Sequence, residues 1–246
     1  RLLSRGLGDV YKRQDESEDP ISLSQYLEKM PDTQKEIYYI SAETSAQALA
    51  SPHLEGFKSK NIPVLIMTDA IDQFWLPMVG SFKEKKFTSI TQGKINLDEL
   101  DSKNKDKKNK SNDDKDKQDK EYVDLIAQLK VVLGDQVKDI RLSSKLTDSP
   151  VCLVADEGDM DIAMEQLMAQ RDSNYKGAPR ILEINGDHSL IKNMKSLLSK
   201  KESNDLVSDA GTLLFEQARL MEGKMPADPA QFSKIMNQFL LKAIPN

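Results

Sequence analysis

The residues able to do chemistry are few and scattered. The chain carries two histidines, His53 and His188, and one cysteine, Cys152. A thiol and an imidazole within reach of each other could act as nucleophile and base, so Cys152 with His188 is a hydrolase arrangement to weigh. Against it, Cys152 sits in the apolar run Val151-Cys152-Leu153-Val154, where cysteine behaves as an inert small hydrophobe. His188 stands beside a helix start and reads as a surface residue. Neither HExxH nor CxxC occurs, so a metal site is not expected. No GxxxxGK[ST] or GxGxxG run is present to cradle phosphates. Asp69 and Asp72 read as a helix cap and a complement to the helix dipole, not as an acid–base pair. The expectation is no catalytic residue, no metal and no cofactor in this chain.

What remains is a surface. Met160, Met164, Leu167 and Met168 fall at i, i+4, i+7 and i+8, one apolar stripe of a helix. Asp161, Glu165 and Gln166 fall away from it, and Asp159 is the expected N-cap. An amphipathic helix ordinarily buries its stripe in a core. Methionine is also unbranched, polarizable and adaptable, which suits a surface that must fit many partners. The residues alone leave both readings open.

The elements that position this helix form two blocks. Residues 1–19 show no sustained period and end in an acidic cluster. Arg1 to Gln14 reads as non-native leader, and the start at Arg1 predicts a fragment. From Pro20 the spacing predicts a helix capped by Ser22 or Ser24, then a strand at Glu36–Ile40. Helices follow from Thr44 and Pro52, then a strand at Val64–Met67. A helix carrying Ile71, Phe74, Trp75 and Met78, interrupted by Pro77, leads to a third strand at Phe87–Ile90. Strands alternating with helices predict a small α/β unit over residues 20–100 with a partly parallel sheet.

Residues 101–120 hold eight Lys, six Asp, three Asn, two Ser and one Gln. With no apolar side chain to bury, this run is expected to be a flexible charged linker, not a nucleic-acid arm. Residues 121–246 then predict a mixed α/β domain. It holds a helix over Tyr122–Leu133, an alternating strand Val137–Leu142, buried strands Val151–Val154 and Arg180–Ile184, and a helix over Ser189–Ser199. Two helices close the chain. The last places Phe232, Ile235, Met236, Phe239, Leu240 and Ala243 at helical spacing, the strongest such period present. A helical hairpin cannot cover both its faces, so it either packs back on the strands or pairs with a second copy. The fold class is thus α+β or α/β in two parts.

Composition sets further limits. A net charge of −5 argues against a general nucleic-acid binder. One cysteine excludes an intrachain disulfide and fits a reducing, cytoplasmic setting. No apolar run approaches the roughly 20 residues of a membrane span.

Several phrases resemble the 90-kDa heat-shock protein chaperones in their bacterial form. They are Ile37-Tyr38-Tyr39-Ile40-Ser41-Ala42-Glu43, Ser51-Pro52-His53-Leu54-Glu55, and Val64-Leu65-Ile66-Met67-Thr68-Asp69-Ala70-Ile71-Asp72. The second half adds Val137-Lys138-Asp139-Ile140-Arg141-Leu142, Leu146-Thr147-Asp148-Ser149-Pro150, and Leu182-Glu183-Ile184-Asn185-Gly186-Asp187-His188. Order and spacing agree from about residue 20 to the end. Where the family usually reads Asn-Pro-x-His-Pro after Ile184, Gly186 and Ser189 replace both prolines. That bears on the rigidity of the turn and not on the fold.

The resemblance implies that residues 20–100 are the distal part of the family's middle domain and residues 121–246 its C-terminal dimerisation domain. It implies a C-terminal fragment without the ATP-binding domain or the catalytic arginine loop. Such a chain is not itself an enzyme, although the intact parent would be an ATPase using ATP and Mg. The terminal hairpin becomes a four-helix homodimer interface through Leu213, Leu214, Phe232, Ile235, Met236, Phe239 and Leu240. Partly folded client proteins would contact Met160, Met164, Leu167 and Met168, with a second contact region at Phe74 and Trp75. The sequence ends Lys242-Ala243-Ile244-Pro245-Asn246, without the acidic tail of cytosolic eukaryotic members, so tetratricopeptide co-chaperones are not expected. No nucleic-acid or membrane partner is implied. Two other readings stand beside it: a dimerisation module without a client surface, and the Cys152–His188 hydrolase.

Overall fold

The computed structural model describes residues 12–13, 21–93, 95–97, 120–172, 175, 177–199 and 204–244. The rest of the leader and almost all of the charged linker lie outside the described residues. Contacts divide the chain into two compact units. One joins residues 1–106 with 155–178, the other joins 107–154 with 179–246. The Met-striped segment therefore belongs with the first unit.

The first unit is built on a sheet of order β1-β3-β2-β5-β4. Its strands are β1 (Lys12–Arg13), β2 (Ile37–Ser41), β3 (Leu65–Met67), β4 (Ser81–Phe82) and β5 (Lys85–Ser89). Both β3 and β5 run parallel to β2, while β1 and β4 are antiparallel edges. Successive side chains on a strand point to opposite faces, and each face has its own core. Tyr38, Ile40 and Ile66 face one side with Leu54, Phe57 and Ile90. Ile37, Leu65 and Met67 face the other with Leu23, Tyr26, Leu76 and Phe87.

Helices α1 (Leu23–Lys29), α2 (Ser45–Leu49), α3 (Glu55–Ser59) and α4 (Asp72–Val79) cover these faces. Ser22 closes a capping box with Gln25 at the start of α1. Pro77 lies inside α4, which ends two residues later at Val79. The hairpin from β4 to β5 turns through Lys83 and Glu84, both at positive φ. Neither is a glycine or asparagine, so residue type did not signal this turn.

The second unit has a three-stranded sheet of order β6-β8-β7. The spans are β6 (Val137–Leu142), β7 (Val151–Val154) and β8 (Arg180–Ile184). The central strand, β8, is parallel to β6 and antiparallel to β7. One continuous core covers one face, from Leu125, Leu129 and Leu133 through Leu182 and Ile184 to Leu214 and Phe215. Its helices are α5 (Val123–Leu133), α7 (Ser189–Ser199), α8 (Asn204–Met221) and α9 (Pro229–Ala243). Gly211 lets α8 approach α5 closely, because a Cβ there would collide with the end of Leu129. Asp228 caps α9, accepting the Ala230 and Gln231 amides.

Candidate functional site

The remaining helix, α6 (Ile162–Arg171), carries the methionine stripe. It begins later than the spacing predicts. Asp161, not Asp159, is the N-cap, its carboxylate accepting the Ala163 amide at 2.9 Å. Met160 therefore precedes the helix on the entering chain, where the Tyr175 hydroxyl lies 4.0 Å from its sulfur. Only Ile162 and Glu165 of α6 are buried. Met164, Leu167 and Met168 are half-buried, and Met160 is exposed. Glu165 was expected to face away with the polar residues. Its carboxylate instead packs onto Gly177, whose missing Cβ and positive φ make the space.

A neighbouring face of α6, which shares only Leu167 with the stripe, lines one side of a cavity of about 270 Å³ within the first unit. Ala163, Gln166, Leu167 and Gln170 of α6 face Met67 and Gln73 across it. At the far end, Gln170 donates to Glu43 at 3.1 Å, and the Arg171 guanidinium lies 5.9 Å from the centre of the Phe74 ring. A cation at a helix C-terminus also complements its dipole. The structure thus brings the end of α6 and Phe74 together.

Trp75 points elsewhere. Its ring meets Phe87 edge to face at 5.6 Å, and its indole N–H donates to Asp72 at 2.7 Å. It is partly buried against the core on that side of the sheet. Burial, chiefly, holds the Asp72 carboxyl above its usual range, against the opposing pull of the Trp75 hydrogen bond.

The hairpin residues divide by burial. Leu214 and Ile235 are buried within the second unit, and Phe239 packs partly against its core. Leu213 and Phe232 are half-buried. Met236 and Leu240 are exposed, and so are Leu220, Met221, Met225, Leu241 and Ile244. Of the last five, Met221 belongs to the apolar set that spacing gives the penultimate helix, and the other four escape the sequence argument. Leu241 and Ile244 lie off the predicted stripe, and Leu220, Met221 and Met225 surround the turn.

The Cys152 thiol is buried in β7, 4.0 Å from a Glu183 carboxylate oxygen. A neighbouring anion disfavours the thiolate that a nucleophile requires. The His188 Nδ1 accepts the Leu190 amide at 3.1 Å, as a turn residue does. The geometry around the thiol is that of a packed strand. Glu183 itself is gripped by Arg141 through two nitrogens at 3.0 and 2.8 Å, by the Ser143 hydroxyl at 2.8 Å, and faces the buried Lys145 ammonium at 3.9 Å. Among the described residues, no helix is long and apolar enough to cross a membrane.

Comparison with known proteins gives the family. A family model described as Hsp90 protein matches residues 10–245. The chain is 39% identical over 230 residues to the chaperone protein HtpG of Roseobacter denitrificans, covering 93% of this chain and 36% of the relative. It is 35% identical over 221 residues to the HtpG of Streptomyces coelicolor, covering 90% and 34%. With the HtpG of Paramagnetospirillum magneticum the identity is 37% over 223 residues, covering 91% and 35%. The chain spans about a third of the length of these relatives. With the family model matched along nearly its whole length, the chain belongs to the Hsp90 family.

Proposed function

We propose that this chain serves a cytoplasmic, homodimeric molecular chaperone, holding partly folded proteins on the surface carried by α6. The carrying observation is where the apolar groups of α6 lie. Ile162 and Glu165 take the buried positions, while Met160, Met164, Leu167 and Met168 keep solvent-facing area. Exposed methionines offer apolar area without strict shape demands, which suits weak binding of varied sequences. Phe74 extends this area beyond Arg171, and Trp75 supports it from the core. A second copy would meet Met236 and Leu240 first, with Leu241 and Ile244 widening the apolar face; Leu213, Phe232 and Phe239 would complete it. Leu214 and Ile235 would hold the hairpin's inner side.

In this reading ATP and Mg, which the resemblance gives to the intact protein, bind outside this span.

Sedimentation velocity of the 246-residue chain with a fluorescent, permanently unfolded protein reads both parts of the proposal. The expected result is a dimer that carries label. Met160→Ser with Met164→Ser should reduce carried label about tenfold, with a melting temperature unchanged within about 2 °C. A parent dimer that carries no label would favour a dimerisation module without a client surface, and label retained by the variant would put client binding away from the stripe. A collapsed melting temperature would mean that the stripe is core.

A further inference from the structure

The Asp161 carboxylate does more than cap a helix. One oxygen accepts the Ala163 amide, the ordinary capping bond. The other accepts two hydroxyls, Ser89 at the end of β5 at 2.5 Å and Thr91 just beyond it at 2.8 Å. Both hydroxyls are buried, at 4% and 6% exposure. Ser89 is the last residue of β5 and Thr91 lies in the turn just after it. Ser89 and Thr91 are also 2.9 Å from each other. Each hydroxyl has one proton, and the carboxylate oxygen draws both. The Ser89 oxygen also accepts the Thr91 amide at 3.3 Å. Burial first, and the charge of Asp161 second, hold the Tyr39 phenol well above its usual range, against the opposing pull of its Ser89 hydrogen bond.

This arrangement exceeds what a cap needs. A serine or asparagine side chain would satisfy the Ala163 amide equally well. Only an acceptor with two oxygens can hold the helix start and both hydroxyls together, and hydrogen bonds to an ionised acceptor are about twice as strong as neutral ones.

The helix depends on such help. It has ten residues, below the roughly 12–15 at which an isolated helix becomes marginal in water. It buries only two side chains. Its far end is tied by Gln170 with Glu43 and Arg171 with Phe74, contacts at exposed side chains that add little. The chain entering the helix is separately pinned. Ala155 exchanges backbone bonds with Thr91 and Gly93 at 2.9 and 2.8 Å, and Gln92 donates to the Asp159 carbonyl at 2.6 Å.

We infer that Asp161, Ser89 and Thr91 form a polar catch that fastens the start of α6 to β5, so that α6 can be released while the sheet stays folded. Asp161, Ser89 and Thr91 are positioning residues. They touch no client in the function proposed above, and act by keeping the methionine stripe on a helix. The inference rests on that function only for its purpose. The test contains no client, so the two fail separately.

Hydrogen exchange of the full chain, followed by mass spectrometry, tests it. Ser89→Ala with Thr91→Val removes both hydroxyls while keeping their shapes. Peptides covering 163–172 should exchange at least about tenfold faster, and peptides covering β2 and β3 should change less than about twofold. Asp161→Ser supplies the second arm. It preserves a good cap but cannot bind both hydroxyls, so it should match the double variant. If Asp161→Ser leaves α6 as protected as the parent, the carboxylate is only a cap and the inference falls. It falls equally if the double variant leaves α6 unchanged, or if β2 and β3 lose protection in step with the helix.

Discussion

Each unit holds a carboxylate against a strand, and the two do it in opposite ways. Glu183 lies in the central strand of the second unit, buried and matched by two cations and a hydroxyl. Asp161 in the first unit is matched by two hydroxyls and a helix N-terminus, with no ion pair at its carboxylate among the described residues. Parting Glu183 from Arg141 and Lys145 would pull apart opposite charges at a buried carboxylate, a step with a severe desolvation penalty. Parting Asp161 from Ser89 and Thr91 leaves neutral hydroxyls, and a carboxylate that water can reach. The first arrangement suits a contact that is never broken in the folded state. The second suits one that can open. The cores differ in the same sense. The second unit has one continuous core from α5 to α8, whereas α6 adds two buried side chains to the first.

The largest effect that would sharpen this contrast is at Glu183. Glu183→Ala removes the anion shared by the Arg141 guanidinium and by Lys145, at 1% exposure. It should cost about 3–5 kcal/mol. Trp75, the only tryptophan, lies in the first unit and reports on it alone, whereas far-ultraviolet circular dichroism sees both. Urea unfolding of Glu183→Ala should therefore show an early loss of part of the dichroism, with the Trp75 transition in place. A Trp75 transition that moves equally far would show that the two units unfold as one, and would break the comparison.

That ion cluster was not legible in the sequence, although the strand holding it was. The apolar run Arg180–Ile184 identified β8 and the alternation of Val137–Leu142 identified β6, because burial pattern sets strand type. Which buried positions would be charged depends on register. Glu183 pairs with Arg141 on β6 and Cys152 on β7, and pairing between distant segments leaves no local mark. The same limit hid the role of Asp161. A capping residue was foreseen two positions early, at Asp159, and nothing near Ser89 or Thr91 pointed across some 70 residues to it. The β4–β5 turn was missed for a different reason, since Lys83 and Glu84 adopt positive φ without being turn-type residues. The methionine stripe was visible from spacing alone. Its half-exposed state was not, because periodicity marks a face and says nothing of what covers it.

A smaller effect, with the sign reversed, is expected in the first unit. The Asp72 carboxyl is raised chiefly by burial. A raised acid binds its proton more tightly folded than unfolded, so stability falls as pH climbs from the unfolded value through the folded one. At neutral pH the charged Asp72 is thus a net cost. Asp72→Asn keeps an oxygen for the Trp75 indole and removes the charge. It should stabilise the Trp75 transition at pH 7, and the gain should vanish in strong acid, where both states of the parent are protonated. Destabilisation at pH 7 would show that the carboxylate is wanted as a charge at the start of α4, as the sequence reading of a dipole complement holds.

The smallest effect belongs to Asp139 in the second unit and runs the other way. Burial tends to raise its carboxyl, but the hydrogen bond and charge of Lys130, the Ile140 amide and the charge of Arg141 outweigh it and hold the group low. A lowered acid contributes stability above its unfolded value, and loses it as pH falls through the folded one. Both partners are about half exposed, so solvent screening keeps the pair below about 1 kcal/mol. Asp139→Asn should therefore destabilise the dichroism transition slightly at pH 7, leave it unchanged in strong acid, and lose most of its effect in about 1 M salt, where screening reaches within about 3 Å. Asp72→Asn should be much less salt-sensitive, because a desolvation cost needs no partner for salt to screen. If the two variants shifted stability in the same direction, or shared one salt dependence, both would be reporting the net charge of the chain. Opposite signs with different salt dependence would place the cause at each carboxylate: burial without a cation in the first unit, pairing with one in the second.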